Sequence, residues 1–358
     1  MQLSELGWDD ALAAQFAPWQ GKAGVLPGRV SIEFNHNYRV YIDGDEIEAV
    51  AAGRLKHQAA SRAELPAVGD WVAVRKQPDE GRGSIQAILP RRSKFSRHAA
   101  GDTTDEQVLA ANADVVFLVM ALDADFSLRR LERYLLLARE SGAAPVILLT
   151  KPDLSDDVPA RLSEVATVTG GLPVHVMSPK FNEGLEHVRA YLGVGRTGAL
   201  LGSSGVGKST IINQLVGGEV QKTREVREAD SKGRHTTRHR ELVALPGGGL
   251  IIDTPGMREL QLWDASEGVR ESFEDVETLA PGCFFSDCRH REEPRCAVKA
   301  AVEDGRIPAA RYESYLKLQA ELAHLATQQD ERARLEDKRQ SKMGAKALRA
   351  RLKDKARD

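Results

Sequence analysis

The sequence predicts an α/β domain at about residues 105–265, between an N-terminal β-barrel and a C-terminal helical region. Apolar runs that alternate with helix-like repeats indicate a parallel sheet with helices on its faces. Ahead of them, short runs of alternating apolar and polar residues indicate β-strands joined by tight turns. Behind them, the three cysteines of the chain lie close together. We therefore expect three regions of different architecture.

Composition sets the class of protein and limits its partners. The chain has 358 residues, of which 42% are hydrophobic and 28% charged, and its formal net charge is −2. These values are typical of a globular chain with more than one domain. Because the chain as a whole is not a polycation, any nucleic-acid surface must come from local basic patches.

The sequence offers no segment that is typical of membrane insertion. No apolar run approaches the ~20 residues that span a bilayer. Residues 1–16 are acidic and lack the basic and apolar segments of a signal peptide. We expect a cytoplasmic protein that does not bind membranes.

Residues 25–95 predict a small β-barrel. Segments such as 29–34 and 38–43 alternate apolar and polar side chains, and Asp-Gly and Gly-Asp pairs mark the turns. This length suits an OB-fold, although an SH3-like barrel gives the same pattern. Residues 1–24 are interpreted as a leader. The basic loop at residues 91–98 is either a solvated linker or a loop that contacts phosphates.

Continuous apolar runs predict the buried strands of the α/β domain. They lie at residues 115–120, 145–149, 199–201 and 250–252. Strands that are buried on both faces have this composition. After the first run, Ser127 can cap a helix in which Leu128, Leu131 and Leu135 recur at helical spacing.

A glycine-rich segment after the run at residues 199–201 matches the phosphate-binding pattern G-x-x-x-x-G-K-[ST]. It lies between a predicted strand and a predicted helix, the context in which this pattern binds nucleotides. Lys208 would bridge the β- and γ-phosphates, and the Ser209 hydroxyl would bind Mg²⁺. The residues expected to bind nucleotide here are Gly202, Ser203, Ser204, Gly205, Val206, Gly207, Lys208, Ser209 and Thr210. The alternative is a chance glycine-rich turn, and the motif alone does not separate ATP from GTP.

Two further segments suit a nucleotide switch. Asp253 and Gly256 form a D-x-x-G motif after a predicted strand, where Asp253 can hold Mg²⁺ through water and the Gly256 N–H can touch a γ-phosphate. Between this motif and the phosphate loop, Thr236 or Thr237 can bind Mg²⁺ when the γ-phosphate is present. Spacing does not separate the two threonines, and a plain basic loop is the alternative for this segment.

The segment at residues 150–153, Thr-Lys-Pro-Asp, is suited to read a guanine base. The Asp153 carboxylate can accept hydrogen bonds from guanine N1 and the 2-amino group, so a buried Asp153 would reject ATP. Lys151 can pack its stem over the base. After another predicted strand, Ser178 and Lys180 belong to a short segment that can support the base from its other side.

The cysteine cluster predicts a metal site. Its ligands would be Cys283, Cys288, His290 and Cys296. Three thiolates and one imidazole are a complete tetrahedral set for a structural Zn²⁺. Free core cysteines beside a surface histidine are the alternative. We expect a zinc-binding domain at residues 270–325, and a basic helical or disordered tail at residues 326–358.

The order of these motifs resembles that of one GTPase family. Translation-factor GTPases carry the phosphate loop first and the base-reading motifs last, whereas this chain carries residues 150–153 and 178–180 before its phosphate loop. This circularly permuted order, with a barrel before it and a Cys/His cluster after it, resembles the ribosome-small-subunit-dependent GTPase A family. The resemblance covers about residues 25–320 and extends to the spacing of the metal ligands.

The resemblance implies a function and partners. Members of that family bind the small ribosomal subunit, hydrolyse GTP on it and act late in its maturation. For this chain, the resemblance implies a GTP hydrolase that uses Mg²⁺ and one structural Zn²⁺ and whose barrel is an OB-fold in contact with 16S ribosomal RNA. We expect GTP and GDP as its ligands, and a monomer.

Three positions depart from the usual GTPase motifs. Thr150 replaces the Asn of N-K-x-D, which should weaken guanine binding while Asp153 keeps its specificity. Pro179 replaces an Ala, a smaller change. Met257 stands where many Ras-like GTPases have the Gln that orients the attacking water. We hypothesise that His235 positions this water, completed by ribosome binding, and we expect low intrinsic turnover.

The permutation also attaches the Cys/His region directly after the D-x-x-G switch. We therefore expect nucleotide state to bias the orientation of that region. Three other functions are alternatives: another P-loop ATPase or kinase, an RNA-binding assembly protein with a structural nucleotide, and a transport or tRNA-modification GTPase.

Overall fold

The computed structural model describes residues 1–34, 36–77, 81–98, 106–217, 240–253 and 273–320, together with residues 323 and 327. The described residues fall into two compact units. The first unit holds the described residues up to 253, and the second holds those from 273 onward. Each unit is described separately.

The N-terminal part of the first unit is a closed five-stranded barrel. Its strands are β1 (Val25–Phe34), β2 (Asn37–Ile42), β3 (Asp45–Ala51), β4 (Trp71–Lys76) and β5 (Arg82–Ile88). They pair in the order β1-β2-β3-β5-β4, and β4 pairs back onto β1. Helix α2 (Gly53–Gln58) lies between β3 and β4. The predicted OB-like barrel is therefore present, with an interior of alternate apolar side chains such as Val30, Val40 and Val72.

The residues before the barrel pack onto it. Helix α1 (Asp10–Phe16) begins after Asp9, whose carboxylate accepts a hydrogen bond from the Leu12 N–H. Leu12 and Phe16 are buried. The Trp8 ring meets the ring of Trp71 in β4 edge-on, with centroids 5.0 Å apart. Burial of these apolar groups ties the N-terminal segment to the barrel wall.

The rest of the first unit is an α/β domain. Its strands are β8 (Val115–Ala121), β9 (Ala144–Thr150), β10 (Val174–Met177), β11 (Thr197–Leu201), β12 (Arg240–Ala244) and β13 (Leu250–Asp253). They pair in the order β10-β9-β8-β11-β13-β12, with only β12 antiparallel to its neighbour in this set. The helices described between them are α3 (Leu128–Ser141), α4 (Val158–Thr169), α5 (Leu185–Tyr191) and a helix at residues 208–217. Strand β11 lies between β8, which precedes it in the chain, and β13, which follows it.

A two-stranded ribbon links the barrel to this domain. It consists of β6 (Lys94–His98) and β7 (Glu106–Ala111), which pair antiparallel. The ribbon includes residues 94–98 of the basic loop, for which the sequence predicts either a solvated linker or a loop that contacts phosphates.

The barrel and the α/β domain also share one continuous sheet. Strand β1 runs past the barrel and pairs antiparallel with β12, so that Glu33 lies opposite Arg240. These two side chains form an ion pair of 2.7 Å and are only 17% and 14% exposed. Among the described residues, eleven strands belong to this one sheet.

A buried arginine in β1 links three parts of the first unit. Arg29 is 2% exposed and donates hydrogen bonds to three backbone carbonyls, those of Leu6, Gly69 and Asn112. Burial lowers its pKa to about 10, while the carboxylates of Asp114 and Asp70 act in the opposite direction. The guanidinium therefore stays charged at neutral pH and is compensated by carbonyl dipoles.

The second unit is small and helical. It contains a short helix at Glu274–Glu277, a helix at Ala297–Glu303 and a helix at residues 309–320. Among the described residues of this unit, the buried apolar side chains are Phe273, Val276, Val298, Ala301, Ile307, Tyr315 and Leu318. So few large apolar groups make a core that ordinarily needs a further cross-link.

Among the helices of the described residues, none is both long and apolar enough to cross a membrane.

We expect Arg29→Met to lower the free energy of unfolding by about 3 kcal/mol, because three buried carbonyls lose a donor while the side-chain volume changes little. Urea denaturation followed by tryptophan fluorescence measures this loss. Arg75→Met is the matched control, since Arg75 lies on β4 with an exposed side chain; its effect should stay within about 0.5 kcal/mol. Equal losses in the two variants would contradict the assigned role of Arg29.

Candidate nucleotide and metal sites

The glycine-rich segment joins the end of β11 to the helix at residues 208–217. The fit is specific to glycine at Gly202, because a Cβ added there would lie 2.4 Å from the Val119 carbonyl oxygen. Gly205 and Gly207 adopt φ angles of 81° and 101°, which side chains disfavour. Val206 between them is buried in the core. The loop backbone is thus folded over the sheet edge at the N-terminus of a helix, where N–H groups attract anions.

Lys208 lies across this loop. Its ammonium group donates hydrogen bonds to the carbonyls of Gly202 and Ser203, at 2.7 and 2.6 Å. Ser204, Ser209 and Thr210 are exposed. The predicted cation and hydroxyl groups are therefore on the open side of the loop, where a phosphate chain can reach them.

An ion pair that the sequence analysis did not identify also contacts the loop. Asp125 accepts a hydrogen bond of 3.1 Å from the Ser203 hydroxyl and two from Arg130, at 2.5 and 3.0 Å. These bonds, that of Arg130 first, lower the pKa of Asp125. The available signal was the position of Asp125 just after β8, because the carboxyl ends of neighbouring parallel strands meet at one edge.

Thr150 ends β9 and is fully buried. Its hydroxyl donates a hydrogen bond of 2.7 Å to the carbonyl of Val206 in the phosphate loop. Next to it, Lys151 adopts a left-handed backbone and pairs with Asp123 at 2.8 Å. This bond lowers the pKa of Asp123, so its carboxylate is ionised at neutral pH.

Asp153 lies in a one-turn helix at Pro152–Leu154 and is exposed. The sequence predicts that a buried Asp153 would reject ATP; in this structure Asp153 is exposed, and its carboxylate is accessible to a ligand.

The second base-reading segment lies beside the first. Strand β10 pairs with β9 so that Met177 is opposite Thr150, which brings the segment at residues 178–180 next to the one at residues 150–153. Ser178 is buried, and its N–H donates to the Glu183 carbonyl at 3.0 Å. Lys180 is exposed.

Asp253 is the last of the predicted nucleotide-binding residues that the structure describes. It ends β13, which pairs in parallel with β11. The described motif residues therefore all follow the carboxyl ends of parallel strands of one sheet. The predicted His235, Thr236, Thr237 and Gly256 lie outside the described residues, as does Met257.

The four residues of the Cys/His cluster come together as possible metal ligands. One ligand atom from each of Cys283, Cys288, His290 and Cys296 lies within 4.8 Å of the others. The sulfurs of Cys283 and Cys296 are 3.8 Å apart, and the His290 Nδ1 is 3.5 and 3.3 Å from them. Tetrahedral bonds of about 2.3 Å from zinc to sulfur place two sulfurs about 3.8 Å apart.

The pKa shifts at this cluster differ between its members: burial, together with the two neighbouring thiols, raises the pKa of Cys288 to about 11. Burial lowers the pKa of His290, so its imidazole is neutral and has a lone pair to donate. At Cys283 burial acts to raise the pKa, but hydrogen bonds from the backbone of Ala297 and Val298 outweigh it and the pKa is lowered. The donor set therefore fits a zinc ion held by four side chains.

Comparison with known proteins identifies the family. The sequence pattern of the RsgA GTPase family matches residues 88–263. The small ribosomal subunit biogenesis GTPase RsgA of Opitutus terrae is 50% identical over 92% of this chain and 92% of its own length. This chain belongs to the RsgA GTPase family. The RsgA of Methanosarcina acetivorans, with the same name, is 46% identical over 88% of this chain and 84% of its own length.

Solved structures of the RsgA family share the fold. YjeQ from Thermotoga maritima superimposes with a TM-score of 0.61 and 29% identity over 84% of this chain and 99% of that structure. YloQ, described as a circularly permuted GTPase, gives a TM-score of 0.58 and 25% identity over 85% and 97%. The predicted family resemblance and the permuted GTPase fold are confirmed. The roles of individual site residues stay predictions.

Proposed function

We propose that this RsgA family member binds GTP at the carboxyl edge of its parallel sheet and hydrolyses it during small ribosomal subunit biogenesis. The proposal rests on one observation. The phosphate loop, Asp253 and the segments at residues 150–153 and 178–180 all lie at the same edge of the sheet. The relatives from Opitutus terrae and Methanosarcina acetivorans, which match most of this chain, are named for that process.

The phosphate loop binds the triphosphate. Backbone N–H groups of residues 202–210 face the phosphates, and Lys208 exchanges its two loop carbonyls for β- and γ-phosphate oxygens. Ser209, in the first turn of the helix, holds Mg²⁺ together with Asp253. Bound Mg²⁺ would supply positive charge that offsets the negative charge of the phosphates.

The base binds between the segments that follow β9 and β10. The two exposed oxygens of Asp153 accept from guanine N1 and the 2-amino group, and a seated base would remove this carboxylate from water. The stem of Lys151 covers one face of the base, while Ser178 and Lys180 support the other. The ion pair with Asp123 fixes the Lys151 side chain for this purpose.

Hydrolysis depends on the switch residues. We assign the second magnesium-binding hydroxyl to Thr236 or Thr237 and γ-phosphate sensing to the Gly256 N–H. Because Met257 cannot orient a water molecule, we assign that task to His235, completed when the ribosomal subunit binds.

The remaining assignments concern partners and organisation. The partner is the small ribosomal subunit, with the OB-like barrel of residues 25–95 on its 16S ribosomal RNA and the GTPase domain at residues 105–265. The chain acts as a cytoplasmic monomer. Residues 270–325 form a domain stabilised by one structural Zn²⁺, and residues 326–358 form a basic tail that adds local positive charge.

Small ribosomal subunits should raise GTP hydrolysis by the purified chain about tenfold or more, and large subunits or ATP should give no such increase. Phosphate release measures the rate. Lys208→Ala should abolish the activity, whereas Lys22→Ala, at an exposed position before the barrel, is the control and should keep it. Stimulation by large subunits, or equal use of ATP, contradicts the proposed function. Binding of GTP without hydrolysis, even when small subunits are present, would instead favour an RNA-binding protein with a structural nucleotide.

His235→Ala should lower the subunit-stimulated kcat at least about tenfold and leave GTP affinity within about twofold, because the residue acts on the water and not on the nucleotide. His187→Ala, on α5 and outside the predicted nucleotide-binding residues, is the control. Full stimulated turnover in His235→Ala would assign water positioning to another group.

The purified chain should contain one zinc ion, and Cys296→Ser should lose it because one of four ligands is gone. Elemental analysis measures the metal. Proteolysis should then cut residues 273–320 first, since their small core loses its cross-link. A chain that retains full metal content after Cys296→Ser contradicts the assigned ligand set.

A further inference from the structure

His290 supplies the imidazole of the Cys/His cluster and has an unfavourable backbone conformation. Its φ angle is 58°, in the left-handed region that residues other than glycine rarely adopt. The residue is buried, and its Nδ1 lies 3.5 Å from the sulfur of Cys283 and 3.3 Å from that of Cys296. A left-handed residue persists only where its surroundings hold it. A neighbouring group must therefore fix the His290 backbone in the orientation that turns Nδ1 toward the sulfurs.

Tyr312 makes the contact that can do this. Its hydroxyl donates a hydrogen bond to the His290 carbonyl. Tyr312 lies in the helix at residues 309–320, which follows the cluster in the chain and carries none of its four possible ligands. The bond therefore joins the backbone of one metal ligand to a separate element of the second unit.

This helix is anchored by other contacts. Arg311 donates hydrogen bonds to the two carboxylate oxygens of Asp275, at 2.5 and 2.7 Å, and its guanidinium lies over the Phe273 ring. Tyr315 is buried, and its hydroxyl donates to Glu277 at 2.8 Å. These partners all precede the cluster in the chain. The helix is thus held in place by groups that do not bind the metal.

We propose that Tyr312 is a positioning residue for the zinc ligand His290, and that its hydroxyl aims the imidazole at the metal by holding the left-handed backbone. This inference rests on the proposed function, which assigns a structural Zn²⁺ to the cluster, and deepens it by naming the residue that orients one ligand. Without the hydroxyl, the His290 backbone is free to relax toward negative φ and to turn Nδ1 away from the sulfurs. Groups that orient metal ligands typically change metal affinity by about tenfold to a hundredfold.

The first measurement is the zinc dissociation constant of the full chain, obtained by competition with a chromophoric chelator. Tyr312→Phe keeps the ring and removes only the hydroxyl, and it should bind zinc about tenfold or more weakly than the wild type.

Tyr315→Phe is the matched control. It also removes one hydroxyl from the same helix, but that hydroxyl bonds to Glu277 and not to a residue of the cluster. Phenylalanine retains the ring beside the His290 imidazole, where the centroids are 6.1 Å apart. Its zinc dissociation constant should stay within about twofold of the wild type, because all four ligands keep their partners.

The second measurement separates aiming of the ligand from general support of the unit. At saturating Co²⁺, the visible absorption of the bound ion reports its ligands and geometry. The spectrum should change in Tyr312→Phe, because the imidazole approaches the ion in a different orientation, and should stay unchanged in Tyr315→Phe. A purely structural loss would alter how much metal binds and leave the spectrum of the bound ion as it was.

Three results would overturn the inference in a chain that binds zinc. They are an unchanged zinc affinity in Tyr312→Phe, an equal loss of affinity in Tyr312→Phe and Tyr315→Phe, and a loss in Tyr312→Phe with an unchanged cobalt spectrum. A wild-type chain that binds neither zinc nor cobalt contradicts the proposed metal site instead, so the two failures are distinguishable.

Discussion

The buried guanidinium of Arg29 fixes how the parts of the first unit meet. It bonds to Leu6 before the barrel, to Gly69 within it and to Asn112 at the start of the α/β domain. The Asn112 side chain in turn donates to the Gly69 carbonyl. A Cβ on Gly69 would meet the Ala111 carbonyl oxygen at 2.1 Å, so the two backbones are in direct contact here. A buried charge is destabilising unless its hydrogen bonds are made, so moving any of these carbonyls away from Arg29 would cost free energy. The geometry of the junction is therefore tightly constrained.

The two binding sites of the chain are built in different ways. The nucleotide site is formed by loops at the ends of strands, so its geometry derives from a large buried sheet. The metal site derives from four side chains in a unit with a small core, and Tyr312 adds a hydrogen bond to the His290 carbonyl. The predicted nucleotide site thus depends on the folded sheet, whereas the small second unit would gain stability from a metal ion that holds its four ligands together.

Most of the fold and the positions of the motifs could be predicted from local sequence patterns. The phosphate loop, the strand ends and the Cys/His cluster were predictable because strand, glycine and ligand spacing are properties of short segments. The Asp125–Arg130 pair on Ser203 and the Asp123 partner of Lys151 were not, since each joins segments brought together only by parallel pairing. Arg29 was also hidden, because residues 28–31 of β1 are all buried, which an alternating polar and apolar pattern does not predict. The partner of the Thr150 hydroxyl, a backbone carbonyl in the phosphate loop, leaves no mark in the sequence.

The pairing of β1 with β12 has a consequence for synthesis of the chain. Arg240 follows Glu33 by 207 residues, so the ribosome produces the barrel strand long before its partner. At about 5–20 residues per second, this interval is roughly 10–40 s. During that time the outer edge of β1 has free N–H and C=O groups that can pair with any other extended segment. The nascent barrel is thus most exposed to wrong pairing before the last strands of the sheet emerge, and any shortening of the intervening chain would shorten that period.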